Sequence, residues 1–360
     1  MSKKASPLKE LGNLPSTHDA HEWADYIELL CLASKDGRIS KADALDFIRE
    51  RIRDLKEGKP IEGHEAEDEE IEAEMGIENK DEDDEDIDAE TIEPAIANDK
   101  WDVRGDRWFD HLEYRAGAFA DFYPFEVTKS RTVLALKGLK ASLSLEHKLY
   151  SFLLLASSLK YFSRSDITSI ASIFEVVSFH ALKTYLPSAA ITHMFGKHGL
   201  NKAGRYSSGT LWKKINLLAT DIKERIDCKK SHFKPTNTGD AGLDLVAWVP
   251  LEEPTNLRRG FFITFGQCAC TPKWVDKQYE THYDTWRNYM KFAVYPIRLT
   301  FIPYCFREST GDWYNETEIR ATILIDRLRL VNLLRDKETV IQPHIISHVN
   351  DVLENAVFDL

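Results

Sequence analysis

The sequence has few cysteines, and their arrangement gives no sign of a disulfide framework. The five cysteines among 360 residues are an odd number and are scattered along the chain. Disulfide-stapled secreted domains carry even, closely spaced sets instead. The first residues, MSKKASPLKELGNL, also lack the apolar stretch of a secretory leader. We therefore expect reduced thiols and a cytoplasmic location.

Long apolar runs and nucleotide-binding loops are absent as well. The longest apolar run, near residues 149–157, is about half of the roughly 20 residues that a membrane-spanning helix needs. This predicts a protein without a membrane partner. No G-x-x-x-x-G-K-[ST] loop for nucleotide phosphates occurs in the chain. Any ATP-driven step would therefore require a separate partner, such as an ATPase.

Charge is distributed unevenly along the chain. The net charge is −12, but residues 61–98 carry 18 acidic groups against the single Lys80. Residues 128–240 are the reverse, with 18 basic and 7 acidic residues. An acidic block beside a basic body indicates a polyanionic partner. A merely solvated basic surface is the alternative, and charge alone does not separate the two.

Composition and periodicity divide the chain into four predicted segments. Residues 1–60 contain apolar positions at helical spacing, and residues 61–98 form an acidic stretch too polar to order itself. This stretch is predicted to be a disordered linker, or alternatively a nucleic-acid mimic. Residues 99–206 are predicted to form an α-helical domain. Residues 207–360 alternate helices and strands, which predicts a three-layer α/β core.

The chemically informative stretch lies within residues 239–274. A turn rich in Gly and Asp leads into a strand that starts near Asp244, and a second strand ends at Gly266-Gln267-Cys268. If the two strands pair, Asp244 and Gln267 lie at the same end of the sheet. Carboxylate and amide oxygens are suitable ligands for Mg²⁺ or Mn²⁺. The pattern therefore predicts a metal site there.

This arrangement resembles the PD-(D/E)XK restriction-endonuclease-like superfamily, and in particular its Mrr-like branch. In that branch, G-D-x-G-x-D at one strand precedes a second strand ending in Q-x-K. The similarity covers roughly residues 207–305. It implies a restriction-endonuclease-like fold, a metal-binding Asp244, and Gln267 in place of the usual second acid. Gln267 would act through its side-chain oxygen, and the backbone carbonyl of Cys268 would lie beside it as a ligand.

One position departs from the family pattern. The lysine expected two residues after Gln267 is Ala269 in this chain. Lys273 and Lys277 are the nearby substitutes, and the spacing Trp274-x-x-Lys277 favours Lys277. In this interpretation Lys277 assists the attacking water and stabilises the charge that develops on the phosphate.

Further residues are candidates for supporting roles. A helix predicted over residues 211–226 offers Glu224 as an additional metal ligand, although a solvent-facing carboxylate is the alternative. Asp240 is another carboxylate near the predicted site, but it fits the role of a turn residue equally well, because Asp beside Gly is typical of tight turns. The predicted nucleic-acid contacts are made by four lysines of the basic stretch, namely Lys213, Lys214, Lys229 and Lys230.

These observations predict an Mg²⁺-dependent endonuclease, implied by the resemblance to act on DNA in bacterial restriction or anti-phage defence. RNA stays open as a substrate. A protein partner from the same defence system is expected, and self-association is left open. The alternative is a catalytically inactive nuclease fold that binds nucleic acid or a partner protein, and Ala269 favours that alternative.

Overall fold

The computed structural model describes residues 8, 11, 13–15, 19–56, 94–196, 203–253 and 256–355. Residues 57–93, most of the predicted acidic linker, lie outside these ranges. Residues 94–98, which were assigned to the linker, form the beginning of a helix instead. The ten helices of the described part are α1 (Ala20–Ala33), α2 (Lys41–Lys56), α3 (Pro94–Phe119), α4 (Leu145–Ser157), α5 (Arg164–Tyr185), α6 (Leu211–Asp221), α7 (Trp274–Lys277), α8 (Tyr283–Trp286), α9 (Arg327–Leu333) and α10 (Glu338–Asn355).

The described strands form one large and two small sheets. Their bounds are β1 (Arg38–Ser40), β2 (Phe125–Val127), β3 (Val133–Leu136), β4 (Ile191–Met194), β5 (Arg225–Ile226), β6 (Leu245–Val249), β7 (Phe262–Cys268), β8 (Met290–Lys291), β9 (Ile297–Phe301) and β10 (Ile323–Ile325). The protein is therefore a mixed α/β protein. No helix in the described ranges is both long and apolar enough to cross a membrane.

The chain divides into two compact units whose bounds differ from the predicted segments. Unit 1 comprises Met1–Thr168, Cys305–Tyr314 and Gln342–Leu360, and unit 2 comprises Ser169–Tyr304 and Asn315–Ile341. Unit 2 thus begins inside the predicted helical domain of residues 99–206. The closing helix, predicted to belong with the nuclease core, is divided between the two units at Gln342.

Unit 1 is mainly helical and also contains a three-stranded antiparallel sheet with the order β1-β3-β2. The prediction of a purely α-helical region missed this sheet because its strands have only three or four residues. Its core holds a buried ion network. The Arg115 guanidinium donates to Asp25 at 2.6 Å and lies 3.0 Å from the Glu28 carboxylate, and all three side chains are buried. Such a group is stable only because its hydrogen bonds replace the lost hydration.

Unit 2 is built on a five-stranded mixed sheet with the order β10-β9-β7-β6-β4. Strands β4, β6 and β7 are antiparallel neighbours, while β7, β9 and β10 run parallel. Parallel strands need a crossover connection, and α7 and α8 lie in the one between β7 and β9. Val246, Trp248, Ile263 and Phe265 cover one face of the sheet and pack in one cluster with residues of α6. This topology determines which residues meet at each end of the sheet.

Candidate functional site

Asp244 is held at the junction of three strands. It directly precedes β6, and its backbone N–H donates to the carbonyl of Gly266 on β7 at 3.1 Å. Its own carbonyl accepts the N–H of Phe195, just after β4, at 2.6 Å. Its carboxylate oxygen Oδ2 accepts the backbone N–H of Cys268 at 2.7 Å, and the residue is buried. The position of this carboxylate is therefore defined by hydrogen bonds to two neighbouring strands.

Gln267 lies on β7 beside Asp244, as expected from the sequence. The pairing of Leu245 with Gly266 places Asp244 and Gln267 at the same end of the sheet. The Gln267 side chain is 4% exposed, and its oxygen Oε1 is buried without a hydrogen-bond partner among the described residues. Leaving a buried acceptor unsatisfied costs roughly 1–3 kcal/mol. An amide oxygen in this condition fits a cation ligand. That Gln267 and Asp244 share one ion stays a prediction.

Cys268 and Cys270 reveal which charges surround this end of β7. Burial raises the pKa of the Cys268 thiol well above its usual value, and the negative charges of Asp244 and Glu175 raise it further. Burial also raises the pKa of Cys270, and Lys277 opposes the shift whereas Glu175 and Asp244 add to it. The carboxylates of Asp244 and Glu175 therefore act on both thiols, and the ammonium of Lys277 acts on Cys270. The structure shows the N–H of Cys268 bonded to Asp244, while the predicted role of its carbonyl stays a prediction.

Lys277 is the last residue of α7 and is half-buried. Besides opposing the pKa shift of Cys270, it opposes the rise that burial produces in the pKa of Glu280. Ala269, at the family's lysine position, is fully buried, and its N–H donates to the carbonyl of Phe301 at 2.9 Å. Lys277 is thus placed in the same charged neighbourhood as Asp244. Its catalytic role stays a prediction.

Two carboxylates of this neighbourhood were missed from the sequence. Glu175 is a half-buried residue of α5, within the apolar run SIFEVVSF of residues 172–179. A carboxylate inside such an apolar run was the feature of the sequence that could have identified Glu175 as a candidate site residue. Glu280 has its pKa raised by burial, and a Cβ on Gly242 would lie 2.4 Å from its own Cβ. Gly242 also has a φ of +71°, so this turn requires glycine for space and for backbone conformation.

The turn before Asp244 explains two further sequence candidates. Asp240 accepts the N–H of Gly242 through Oδ1 at 2.9 Å, which makes it a turn residue. Lys214, predicted to contact nucleic acid, is only 1% exposed. Its ammonium donates to the carbonyls of Thr238 and Gly239 at 2.7 and 3.0 Å. The prediction for Lys214 is therefore wrong, because its charge is used to hold this turn.

The other three lysines, Lys213, Lys229 and Lys230, are exposed. They are therefore available to a polyanion, and their contact with nucleic acid stays a prediction.

Glu224 is placed elsewhere in unit 2. Helix α6 ends at Asp221 rather than at residue 226, so Glu224 lies in the segment that leads to β5. One oxygen accepts from Arg259 at 2.7 Å and the other from the N–H of Ala293 at 2.9 Å. Arg259 precedes the start of β7, whereas Gln267 is near its end. Glu224 is therefore a structural carboxylate at the opposite end of that strand, and its assignment as a metal ligand is corrected.

A separate group of side chains with metal-ligating atoms lies in unit 1. Ligand atoms of Asp19, His21 and Glu22 all lie within 4.8 Å of one another at the start of α1. The hydroxyl of Tyr314 donates to Asp19, and the ring of His21 packs against that of Tyr314 with 4.6 Å between centroids. Carboxylates in a first helical turn are favoured by the helix dipole alone. The group is therefore explained without a metal.

Comparison with known proteins adds no relative, since no family model, no curated protein and no solved structure matches the chain.

Proposed function

We propose that unit 2 is a metal-dependent nuclease domain of the PD-(D/E)XK type that cleaves DNA phosphodiester bonds. The single observation that carries the proposal is the buried oxygen of Gln267, which has no hydrogen-bond partner among the described residues and lies beside the buried carboxylate of Asp244. An orphaned amide oxygen at a carboxylate-bearing strand end is unfavourable without a ligand and favourable with a cation. The sheet topology, an antiparallel β4-β6-β7 meander followed by a parallel β9, supports the restriction-endonuclease-like fold that the sequence resemblance implies.

In this proposal, some residues bind the metal and others stabilise or contact the DNA phosphates. Asp244 and Gln267 would hold Mg²⁺ or Mn²⁺. Glu175 is an additional carboxylate that, like Asp244, acts on the thiols of Cys268 and Cys270. The ion, when bound, would polarise the scissile phosphate and lower the pKa of the attacking water. Lys277 would stabilise charge on the phosphate from the end of α7. The exposed lysines 213, 229 and 230 would contact the DNA backbone.

The biological role, the partner and the location of the protein are also parts of this proposal. Restriction or anti-phage defence in bacteria, a partner protein from the same system and a cytoplasmic location rest on the sequence resemblance and composition. They are consistent with a nuclease that lacks its own nucleotide-binding loop. RNA in place of DNA would be accommodated by the same chemistry at the phosphate.

The decisive experiment compares the full-length chain with Asp244→Asn on supercoiled plasmid DNA, with Mg²⁺, with Mn²⁺ and with chelator. Asn is close in size and keeps an oxygen for the Cys268 N–H but carries no charge. We expect metal-dependent cleavage by the parent protein and none by the variant. The control is Asp276→Asn, an exposed aspartate of α7, which should cleave normally. Cleavage that persists in Asp244→Asn would contradict the proposed metal site.

A binding module is the second candidate, and Ala269 is the observation that favours it. In that case the chain would retain salt-sensitive DNA binding, measured by fluorescence anisotropy, with no cleavage of DNA or RNA under either metal. Equal DNA affinity in the parent and Asp244→Asn would accompany this outcome, because a phosphate-contacting surface does not require the metal.

A further inference from the structure

Unit 1 contains a cavity that the proposed nuclease chemistry does not use. Its volume is about 470 Å³, within the range of small-molecule sites. The wall comes from the first residue of α1, from α3 and from residues 308–314, all of which belong to unit 1. The residues that matter for its chemistry are Arg104, Arg107, Trp108, His111, Glu308 and Tyr314.

Two arginines of this wall lie close together, the half-buried Arg104 and the exposed Arg107. Arg104 and Arg107 are one turn apart on α3, and burial lowers the pKa of Arg104, which the charge of Arg107 lowers further. Neither guanidinium has a carboxylate within 4.0 Å among the residues that the structure describes. The Arg104 guanidinium instead lies 4.9 Å from the ring centre of Trp101. Two guanidiniums held on one wall favour an anion between them.

The wall carries two carboxylates as well as the two arginines. Asp110 accepts a hydrogen bond from Arg131 at 2.9 Å, and Arg131 also pairs with Glu113 at 2.6 Å. Glu308 is the other carboxylate of the wall, and among the described residues it forms no ion pair with either arginine. The formal charges of the wall are therefore balanced, and what favours an anion is the pair of guanidiniums that no described carboxylate occupies.

His111 is a second and independent indication that the cavity binds a ligand. It is 2% exposed and lines the cavity, and neither of its ring nitrogens has a hydrogen-bond partner in the described ranges. Burial, aided by the charge of Arg115, lowers its pKa to about 3, so the ring is neutral at pH 7. A neutral imidazole has one donor and one acceptor nitrogen. Burying it with both unsatisfied is costly unless a ligand supplies the missing partner.

We propose that this cavity binds a phosphoryl group, with Arg104 and Arg107 contacting its oxygens and the imidazole of His111 donating a hydrogen bond to it. Phosphoryl oxygens suit this set because guanidiniums pair with them in a planar, two-pronged geometry. The group can belong to free phosphate or to a nucleotide. The volume leaves room for the rest of a nucleotide, and Tyr314 and Trp108 provide aromatic surface.

The test measures binding to the full-length chain by isothermal titration calorimetry. The three probes are inorganic phosphate, AMP and adenosine. We expect phosphate or AMP to bind and adenosine not to bind. Tighter binding of AMP than of phosphate would identify the nucleotide as the source, and equal or weaker binding would identify free phosphate. Failure of both phosphoryl probes to bind at millimolar concentration would overturn the proposal.

Three variants and one control assign the contacts. Arg104→Gln and Arg107→Gln should each weaken binding by roughly tenfold or more, because each removes a charge-assisted hydrogen bond. His111→Phe should also weaken it, since phenylalanine fills the space without a donor. The control is Arg53→Gln, an exposed residue of α2, with the same loss of charge. Unchanged affinity in both cavity arginine variants would refute the site, and their thermal unfolding confirms that they are folded.

Discussion

The carboxylate of Asp244 accepts the backbone N–H of Cys268 at 2.7 Å. This one hydrogen bond joins the residue before β6 to the last residue of β7. The side chain that would hold a metal therefore also holds the ends of these two strands together. The structural role of Asp244 and its proposed role as a metal ligand therefore fall on one carboxylate, and substitution can separate them.

Asp244→Ala and Asp244→Asn should differ in stability but not in activity. Alanine leaves the buried Cys268 N–H without an acceptor, which should lower the free energy of unfolding by about 1–3 kcal/mol. Asparagine retains an acceptor oxygen and should be destabilised less. Both variants should lose metal-dependent cleavage. Urea denaturation and a plasmid assay measure the two effects, and cleavage by Asp244→Asn would separate Asp244 from catalysis.

Gln267→Leu should change the response to metal. Removing a buried oxygen that has no hydrogen-bond partner in the described part of the chain relieves a desolvation cost. The variant should therefore be as stable as the parent in chelator, or more stable. Mg²⁺ should raise the midpoint of thermal unfolding of the parent, because a ligand that binds only the folded state stabilises it. The variant should lack this shift. An identical Mg²⁺ shift in both proteins would exclude Gln267 as a ligand.

Lys277→Ala should reduce the cleavage rate by a factor on the order of 10²–10³ while DNA binding is retained. The effect arises because the ammonium would stabilise charge that develops only in the transition state. Lys273→Ala, four residues earlier, is the matched control and should have little effect. Single-turnover rates and anisotropy measure the two properties. Equal rates for Lys277→Ala and the parent protein would refute the displaced lysine.

Lys214→Met should destabilise unit 2 rather than weaken DNA binding selectively. The substitution removes two hydrogen bonds from a buried ammonium to the carbonyls of Thr238 and Gly239. A cost of about 3–6 kcal/mol is expected, since each of the two bonds to a charged group contributes about 1.5–3 kcal/mol. Lys213→Met, at an exposed neighbour, should leave urea denaturation unchanged. Similar denaturation midpoints for the two variants would contradict this assignment.

His111 should make unit 1 sensitive to acid. Its pKa is lowered to about 3 in the folded protein, against an ordinary value of 6.5, by burial and by the charges of Arg115 and His21, with Asp25 opposing. The unfolded chain therefore binds a proton that the folded chain rejects. His111 therefore leaves the free energy of unfolding unchanged above pH 6.5. Between pH 6.5 and pH 3 it lowers that free energy by about 1.4 kcal/mol per pH unit. Denaturation of the parent and His111→Gln between pH 7 and pH 4 measures the difference, and parallel profiles would contradict it.

Several elements were not predictable because their ends depend on distant partners. Residues 275–293 have the composition of one helix, yet they form α7, α8 and β8. Gln278, between the two helices, donates to the carbonyl of Glu318 at 2.8 Å and accepts the N–H of Arg320 at 2.9 Å. The Trp286 indole donates to the carbonyl of Glu280 at 3.1 Å. These bonds compete with helical hydrogen bonds, and the local sequence does not reveal them.

The sequence by itself determined the placement of Asp244 and Gln267 at one sheet end. Two β-rich runs separated by a short polar connection pair as neighbours, and antiparallel pairing brings the start of one to the end of the next. The roles of the other charges were decided only by the tertiary structure. Lys214 and Glu224 lie 24 and 35 residues from Thr238 and Arg259, which occupy their charges. Whether a charged side chain faces solvent or a buried partner depends on which segments fold against it, and that information is not local.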